Sequence, residues 1–380
     1  MANALARSLV RRCCGLRQWC LGILCWGLLS TLPVQAQSVA FINPGTSKEV
    51  YWVTVTQVME QAARSLGMEL EVLYTERNRL LPLQMAQELA QRPAGKKPDY
   101  LIITNENSVA PEMLRLLNDA GIRVFMAFSG IQENLQAQTG QPRGKYPFWL
   151  GSMESNSRDA GYLTAKALIA KARSMPELRA PDGKFHLVAL AGARATAVSV
   201  ERNAGMRQAV SESPDVLFTQ EVFGDWRRDR AQEQAAVLFK RYPHARLVWA
   251  ANDMMAFGAM EAWRQLGGVP GTDALFSGIN TSEEALKARM RGELTALAGG
   301  HFMLGGWVLV MLYDHARGID FISEGLEREA PVFMLLDENN IPQFEERFAK
   351  WRTSLDFKMF SKHHQPQIKK YQFEVVRLLR

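Results

Sequence analysis

The sequence predicts an α/β protein built as two doubly wound parallel-sheet lobes. Three observations carry that prediction. The 380 residues, 47% of them apolar, suffice for two domains with sizeable cores. Ten short apolar runs fall into two sets of five, and stretches of helical period separate them.

The first set of runs lies at 38–43, 69–74, 100–104, 124–128 and 148–153. The second lies at 186–191, 216–223, 246–251, 274–279 and 294–298. Helical spacing shows in Val55, Met59, Ala62, Ala63 and Leu66, in Ala160, Leu163, Ala167 and Lys171, and in Ala231, Ala235, Leu238, Phe239 and Tyr242. Strands apolar on both faces that alternate with helices predict parallel sheets covered on both sides. The stretch 130–147, rich in Gly, Gln and Pro, predicts a surface loop before the last strand of the first lobe.

The N-terminus has a separate character. Arg7, Arg11, Arg12 and Arg17 precede or open an apolar run over 19–32, and Val34-Gln35-Ala36 follows it. This pattern predicts a secretory signal over 1–36, cleaved after Ala36, with an uncleaved anchor as the alternative. All four cysteines (Cys13, Cys14, Cys20, Cys25) lie inside it. The mature chain then carries no thiol, which excludes disulfides, thiolate metal sites and cysteine nucleophiles. A periplasmic location is expected.

Charge is distributed unevenly. Of 45 Lys+Arg and 39 Asp+Glu, residues 341–380 hold nine bases and four acids, so the body at 37–340 has 32 bases against 35 acids. A body of that sign lacks the footprint of a nucleic-acid binder. The basic tail at 341–380 has Phe344, Phe348 and Trp351 at helical spacing. It is expected to dock on the body, its charge leaving a membrane surface or partner domain as an alternative role.

In open α/β sheets, ligands bind outside the carboxyl ends of the strands. Those ends carry Asn43, Glu76, Asn105, Ser129, Trp226, Asn252-Asp253, Asn280 and His301. Amides donate and accept, as hydroxyls do, and an indole face suits the C–H surface of a small ring. The composition predicts a neutral, polyhydroxylated ligand. No Walker A, G-x-G-x-x-G, H-E-x-x-H or G-x-S-x-G pattern occurs where it would act, and the six histidines lack ligand spacing. No catalytic residue, metal or cofactor is expected, and His363-His364 is expected to be solvated.

Five motifs in order carry a family resemblance. They are Asn43-Pro44-Gly45 with Tyr51-Trp52, and Asn156 with Ala160-Gly161-Tyr162-Leu163. Then come Glu201-Arg202-Asn203-Ala204-Gly205-Met206, the run from Ala251-Asn252-Asp253 to Gly258-Ala259, and Gly278-Ile279-Asn280. Together they resemble the type 1 periplasmic binding proteins of the ribose-binding-like class over about 38–340. The Pro44-Gly45…Tyr51-Trp52 spacing and the long C-terminal end are most similar to the autoinducer-2 receptor subgroup, which works with a sensor kinase. The resemblance implies a three-strand hinge crossing near 150, 300 and 320–330. It implies lobes at 37–150 plus 300–325 and at 151–299 plus 326–340.

The resemblance also implies ligand contacts at Asn43, Trp52, Asn105, Trp226 and Asn252, with Arg202 at the arginine of the autoinducer-2 type. Departures are Phe128-Ser129 in place of an Asp-Arg pair, Asn280 in place of an aspartate, and Gly299 or Gly300 in place of a glutamine or arginine. These losses argue against a pentose held in the usual way and against autoinducer-2, with His301 and Glu49 as replacement contacts. The expected protein is a monomeric periplasmic receptor in which Trp52 and Trp226 sandwich a sugar or polyol. An inner-membrane sensor or an ABC permease would read the closed form. Sugar uptake without signalling, and an exported enzyme on the same scaffold, are the alternatives.

Overall fold

The computed structural model describes residues 36–194, 196–349 and 355–379. The first five strands are β1 (Ser38–Asn43), β2 (Glu69–Tyr74), β3 (Tyr100–Ile103), β4 (Arg123–Phe128) and β5 (Trp149–Ser155). The next five are β6 (Phe185–Ala191), β7 (Val216–Phe223), β8 (Ala245–Ala250), β9 (Leu275–Ile279) and β10 (Ala296–Gly299). All ten coincide with the expected apolar runs to within two residues at each end. Two short strands follow, β11 (Glu327–Ala330) and β12 (Met334–Leu336).

The strands form two six-stranded sheets, ordered β11-β5-β4-β3-β1-β2 and β12-β10-β9-β8-β6-β7. Among the described residues, only the β10–β12 pair is antiparallel. The sixth strand of each sheet is an exchange: β11 pairs with β5, and after Ala330 the chain crosses to put β12 beside β10. Neither was expected as a strand. Glu327-Arg328-Glu329 has no apolar run because β11 is a sheet edge, where one side faces solvent. The expected lobe boundaries therefore shift. β5 stays in the first sheet to Ser155 and β11 belongs to it as well, so the crossings fall at 155–157, 299–304 and 330–334.

Helices cover both faces of each sheet. In the first lobe they are α1 (Val50–Leu66), α2 (Leu81–Gln91), α3 (Ala110–Asp119) and α4 (Glu133–Thr139). In the second they are α5 (Ser157–Arg173), α6 (Ala197–Ser211), α7 (Arg228–Arg241), α8 (Asp253–Gln265) and α9 (Glu283–Met290). After the second crossing, α10 (Leu304–His315) returns to pack on α1, β4 and β5. Helix ends follow local chemistry: Gly67 ends α1 at φ 67°, and Asn252 caps α8 by accepting from Met255 N at 2.8 Å. Phe41 and Phe125 in one sheet, and Trp249 and Phe276 in the other, are fully buried. Each such side chain contributes roughly 1.5–3 kcal/mol.

The C-terminal region is part of this packing, as the sequence leads one to expect. Phe344 and Phe348 lie 6.0 and 5.4 Å from Phe302, and Phe357, Phe373 and Val375 are buried. Trp351 lies outside the described residues. His364 departs from the solvated role expected of it: its Nε2 meets the Tyr313 hydroxyl at 2.8 Å, and the two rings stack. No helix among the described residues is long and apolar enough to cross a membrane. The signal segment expected over 1–36 lies outside them, apart from its last residue.

Candidate functional site

The carboxyl ends of the two parallel sheets face one another across a cleft, and the backbone is strained there. Among the described residues, nine non-glycine residues have left-handed φ, and eight of these end or follow strands. They are Glu76 and Arg77 after β2, Asn107 and Ser108 after β3, Phe128 ending β4, Asp225 and Trp226 after β7, and Asn280 after β9. Each costs of order 1 kcal/mol and persists only where the surroundings hold it, which is typical of ligand clamps.

A cavity of about 530 Å³ opens between the lobes, lined by Glu49, Tyr51 and Arg77 on one side and by Trp226, Asn252 and Asn280 on the other. A narrower inner chamber adds Trp52, Glu106, Phe128, Arg202 and His301.

The second-lobe wall rests on close helix packing. A Cβ on Gly161 of α5 would lie 1.9 Å from Arg202 O, and one on Gly205 of α6 would lie 1.9 Å from Arg158 O. Only glycines at these reciprocal positions let α5 and α6 touch through their backbones. That contact fixes Arg202, which is 4% exposed, against the sheet end. Its Nη1 donates to Ala251 O at 2.6 Å and its Nη2 meets His301 Nε2 at 3.2 Å. Its guanidinium also lies over the rings of Trp226 and Phe333. Burial lowers the Arg202 group to about 10, with Tyr51 and Asp253 opposing.

His301 stacks on Tyr51 at 4.6 Å and lies 4.5 Å from Phe333. Burial and then Arg202 hold the imidazole well below its ordinary range, so it is neutral. A guanidinium only donates, so Nε2 accepts and Nδ1 carries the proton. Arg202 and His301 thus both line one chamber, and each carries a buried N–H, Nε and Nδ1, without a partner in the protein. Each such orphan costs about 1–3 kcal/mol unless an acceptor arrives.

Asn252 spends its amide locally: besides its cap, Nδ2 donates to Trp226 O at 3.2 Å and holds that loop. Asn280 Nδ2 donates to Asp253 Oδ1 at 2.9 Å. Burial pushes the Asp253 carboxyl up, with hydrogen bonds from Ser282 and Asn280 opposing.

On the first-lobe wall, Trp52 lies edge-on to Phe128 and Tyr51, at 5.2 and 5.0 Å. Burial, Glu49 and Glu106 raise the Tyr51 phenol, with Arg202 opposing. Arg77 Nε donates to Glu49 Oε2 at 2.9 Å, and Nη2 meets Oε1. Glu106 faces the same chamber, its carboxyl pushed up by burial and by Glu49 while Arg77 opposes.

Six of the eight expected contacts, Trp52, Arg202, Trp226, Asn252, Asn280 and His301, are thus brought to one cavity. Asn43 and Asn105 are not. Asn43 donates to Thr56 Oγ1 at 3.2 Å and accepts from Gly45 N at 2.9 Å. Asn105 donates to Gly130 O at 2.8 Å and accepts from Ala110 N at 3.2 Å. Both are fully buried staples of their strand ends. Sequence reasoning missed Tyr51, Arg77 and Glu106 as wall residues, so the cleft is more charged than expected. Arg77 and Glu106 each follow a residue that was singled out, Glu76 and Asn105.

Comparisons with known proteins agree with this architecture. The family model described as periplasmic binding protein domain matches residues 39–320. The galactofuranose-binding protein YtfQ of Escherichia coli K12 is 29% identical over 114 residues, 29% of this chain and 36% of that protein. The match thus spans about a third of that curated relative's length. A crystal structure of a periplasmic sugar-binding protein from Pseudomonas fluorescens is 41% identical, with a TM-score of 0.81 over 90% of this chain and 100% of that one. A structure of a galactofuranose-binding protein has a TM-score of 0.69 at 18% identity over 83% of this chain and 99% of that one, a likeness of fold alone.

Proposed function

The chain belongs to the periplasmic binding protein family, and from that premise we propose that it is a receptor for a small neutral sugar or polyol. The observation that carries the reading is the interlobe chamber, walled by aromatic rings from both lobes. Arg202 and His301 line it, and each holds a buried N–H, Nε and Nδ1, with no partner in the protein. A sugar oxygen satisfies those donors while its hydroxyls donate to Glu106 on the opposite wall. Trp52 and Trp226 contribute the apolar faces. The sugar-binding protein of Pseudomonas fluorescens supports the ligand class.

In this reading the protein is exported and cleaved after Ala36, acts as a monomer, and uses no cofactor. Its closed form delivers the ligand to an inner-membrane ABC permease. The sensor-coupled route of the autoinducer-2 subgroup is the second reading. It draws on the likeness of the long C-terminal end to that subgroup.

The test is a thermal-shift screen of residues 37–380 against furanose and pyranose sugars, polyols, autoinducer-2, amino acids and purines. A ligand at 100 times its Kd adds about 2.7 kcal/mol, a rise of several degrees. A sugar hit abolished in Trp226→Ala supports the reading, and a hit confined to amino acids or purines overturns it.

A further inference from the structure

The three interlobe crossings are fastened to one another. Asn156 N donates to Ala330 O at 3.2 Å, and Asn156 Oδ1 accepts from Val332 N at 3.1 Å, joining the first crossing to the third. The second crossing is wedged against the third at Gly300, where a Cβ would lie 2.5 Å from Val332 O. That same Cβ would lie 3.1 and 3.2 Å from the two methyls of Val375. Gly300, at φ 114°, is therefore held between the third crossing and the C-terminal segment.

That segment is anchored at its other end to the first lobe. Asp356 accepts from Ser65 of α1 at 2.9 Å. Asp314 of α10 accepts from Ser361 Oγ, Lys362 N and the Tyr371 hydroxyl at 2.5, 2.7 and 2.9 Å. Past Tyr371 the chain turns to the crossings. Phe373 stacks on Trp307 at 5.2 Å and 13°, and Arg328 of β11 lies over both Tyr371 and Phe373. Glu324 accepts from Arg328 at 2.6 Å and from Tyr371 N at 3.0 Å, and pairs with Lys362.

We propose that residues 371–379 form a brace that sets the relative position of the two lobes by packing on the second crossing and on the strand that leads into the third. The segment is tied to one lobe and bears on the second crossing at Gly300 and on β11, which leads into the third. Its packing therefore biases the hinge as a wedge would. The bias reaches the cleft through one residue. His301, next to Gly300, is bonded to Arg202 of the second lobe and stacked on Tyr51 of the first. The inference goes beyond the receptor reading and requires no ligand.

The chain from Gln37 onward has no cysteine, so a pair of engineered thiols reports lobe separation cleanly. Leu80 in the first lobe and Val237 in the second are 78% and 63% exposed. L80C/V237C protein carries a donor–acceptor dye pair, and single-molecule transfer efficiency is recorded without ligand. The background variants are Val375→Ala, Phe373→Leu and, as control, Val376→Ala at a side chain that is 44% exposed. The brace predicts that Val375→Ala and Phe373→Leu change the ratio of lobe arrangements by about threefold or more, while the control superimposes on the parent. Superimposed distributions for all three, in protein that unfolds cooperatively, overturn the proposal. If Val375→Ala does not fold, Phe373→Leu, which keeps apolar bulk, decides alone.

Discussion

Replacing Arg202 by methionine separates a ligand contact from a structural strut. Burial lowers the guanidinium from 12.5 to about 10, which corresponds to roughly 3 kcal/mol of unfavourable energy in the charged form. Methionine fills similar volume and removes that burden. It also leaves Ala251 O and His301 Nε2 without their donor, at about 1–3 kcal/mol for each and so about 4 kcal/mol together. The two effects nearly cancel, so the ligand-free variant is expected to stay within about 1 kcal/mol of the parent. That is a shift of only a few degrees in Tm for a chain of this size.

Binding responds differently. The charged donor lost to a ligand oxygen is worth about 2 kcal/mol, or roughly thirtyfold in Kd. Calorimetric titration with the sugar found in the screen, alongside thermal unfolding without it, reads both quantities on the same preparation. A Tm loss above about 8 °C with an unchanged Kd would refute the reasoning, because Arg202 would then serve the fold and not the ligand.

Two further outcomes follow from the same geometry. Asn43→Ala and Asn105→Ala should each lower stability by about 1–3 kcal/mol in urea titrations and leave the Kd within about twofold, since both amides are spent on backbone partners and Thr56. A tenfold loss of affinity in either would restore it to the ligand set. The second outcome concerns pH. His301 stays neutral in the folded chain while an unfolded histidine protonates near 6.5, so the unfolded state binds the extra proton and stability falls as pH drops below about 7. His315 and His364, also lowered by burial, act in the same direction. The diagnostic quantity is therefore the difference between parent and His301→Gln: the variant should lose less stability between pH 7 and 5, by at most about 1.4 kcal/mol per pH unit. Parallel curves would mean that His301 charges freely in the fold.

What the sequence revealed and what it hid share one physical cause. The ten long strands were legible because a strand buried on both faces must be apolar throughout, and such runs are short and bounded. β11 was hidden because an edge strand carries no such demand, and Glu327-Arg328-Glu329 has the composition of a loop. At the cleft the order of residues misled in a consistent way. Asn105 is the first residue past Thr104, still within the buried run, so its amide is consumed closing the turn onto Gly130 and Ala110. Glu106, one position on, reaches the chamber. After β2 the same holds: Glu76 accepts from Ser47 N at 2.9 Å, and Arg77, at φ 58°, lines the chamber instead. Composition names the polar residues near a strand end but not which of them the turn consumes. Asn252 shows why the rule is not absolute. Its amide is engaged at both ends, capping α8 and holding Trp226 O, yet it still lines the cavity, because the loop that it holds carries Trp226 over the same space. The loop that Asn252 ties down is itself part of the ligand wall, whereas the Gly130 and Ala110 backbone that Asn105 ties down is not.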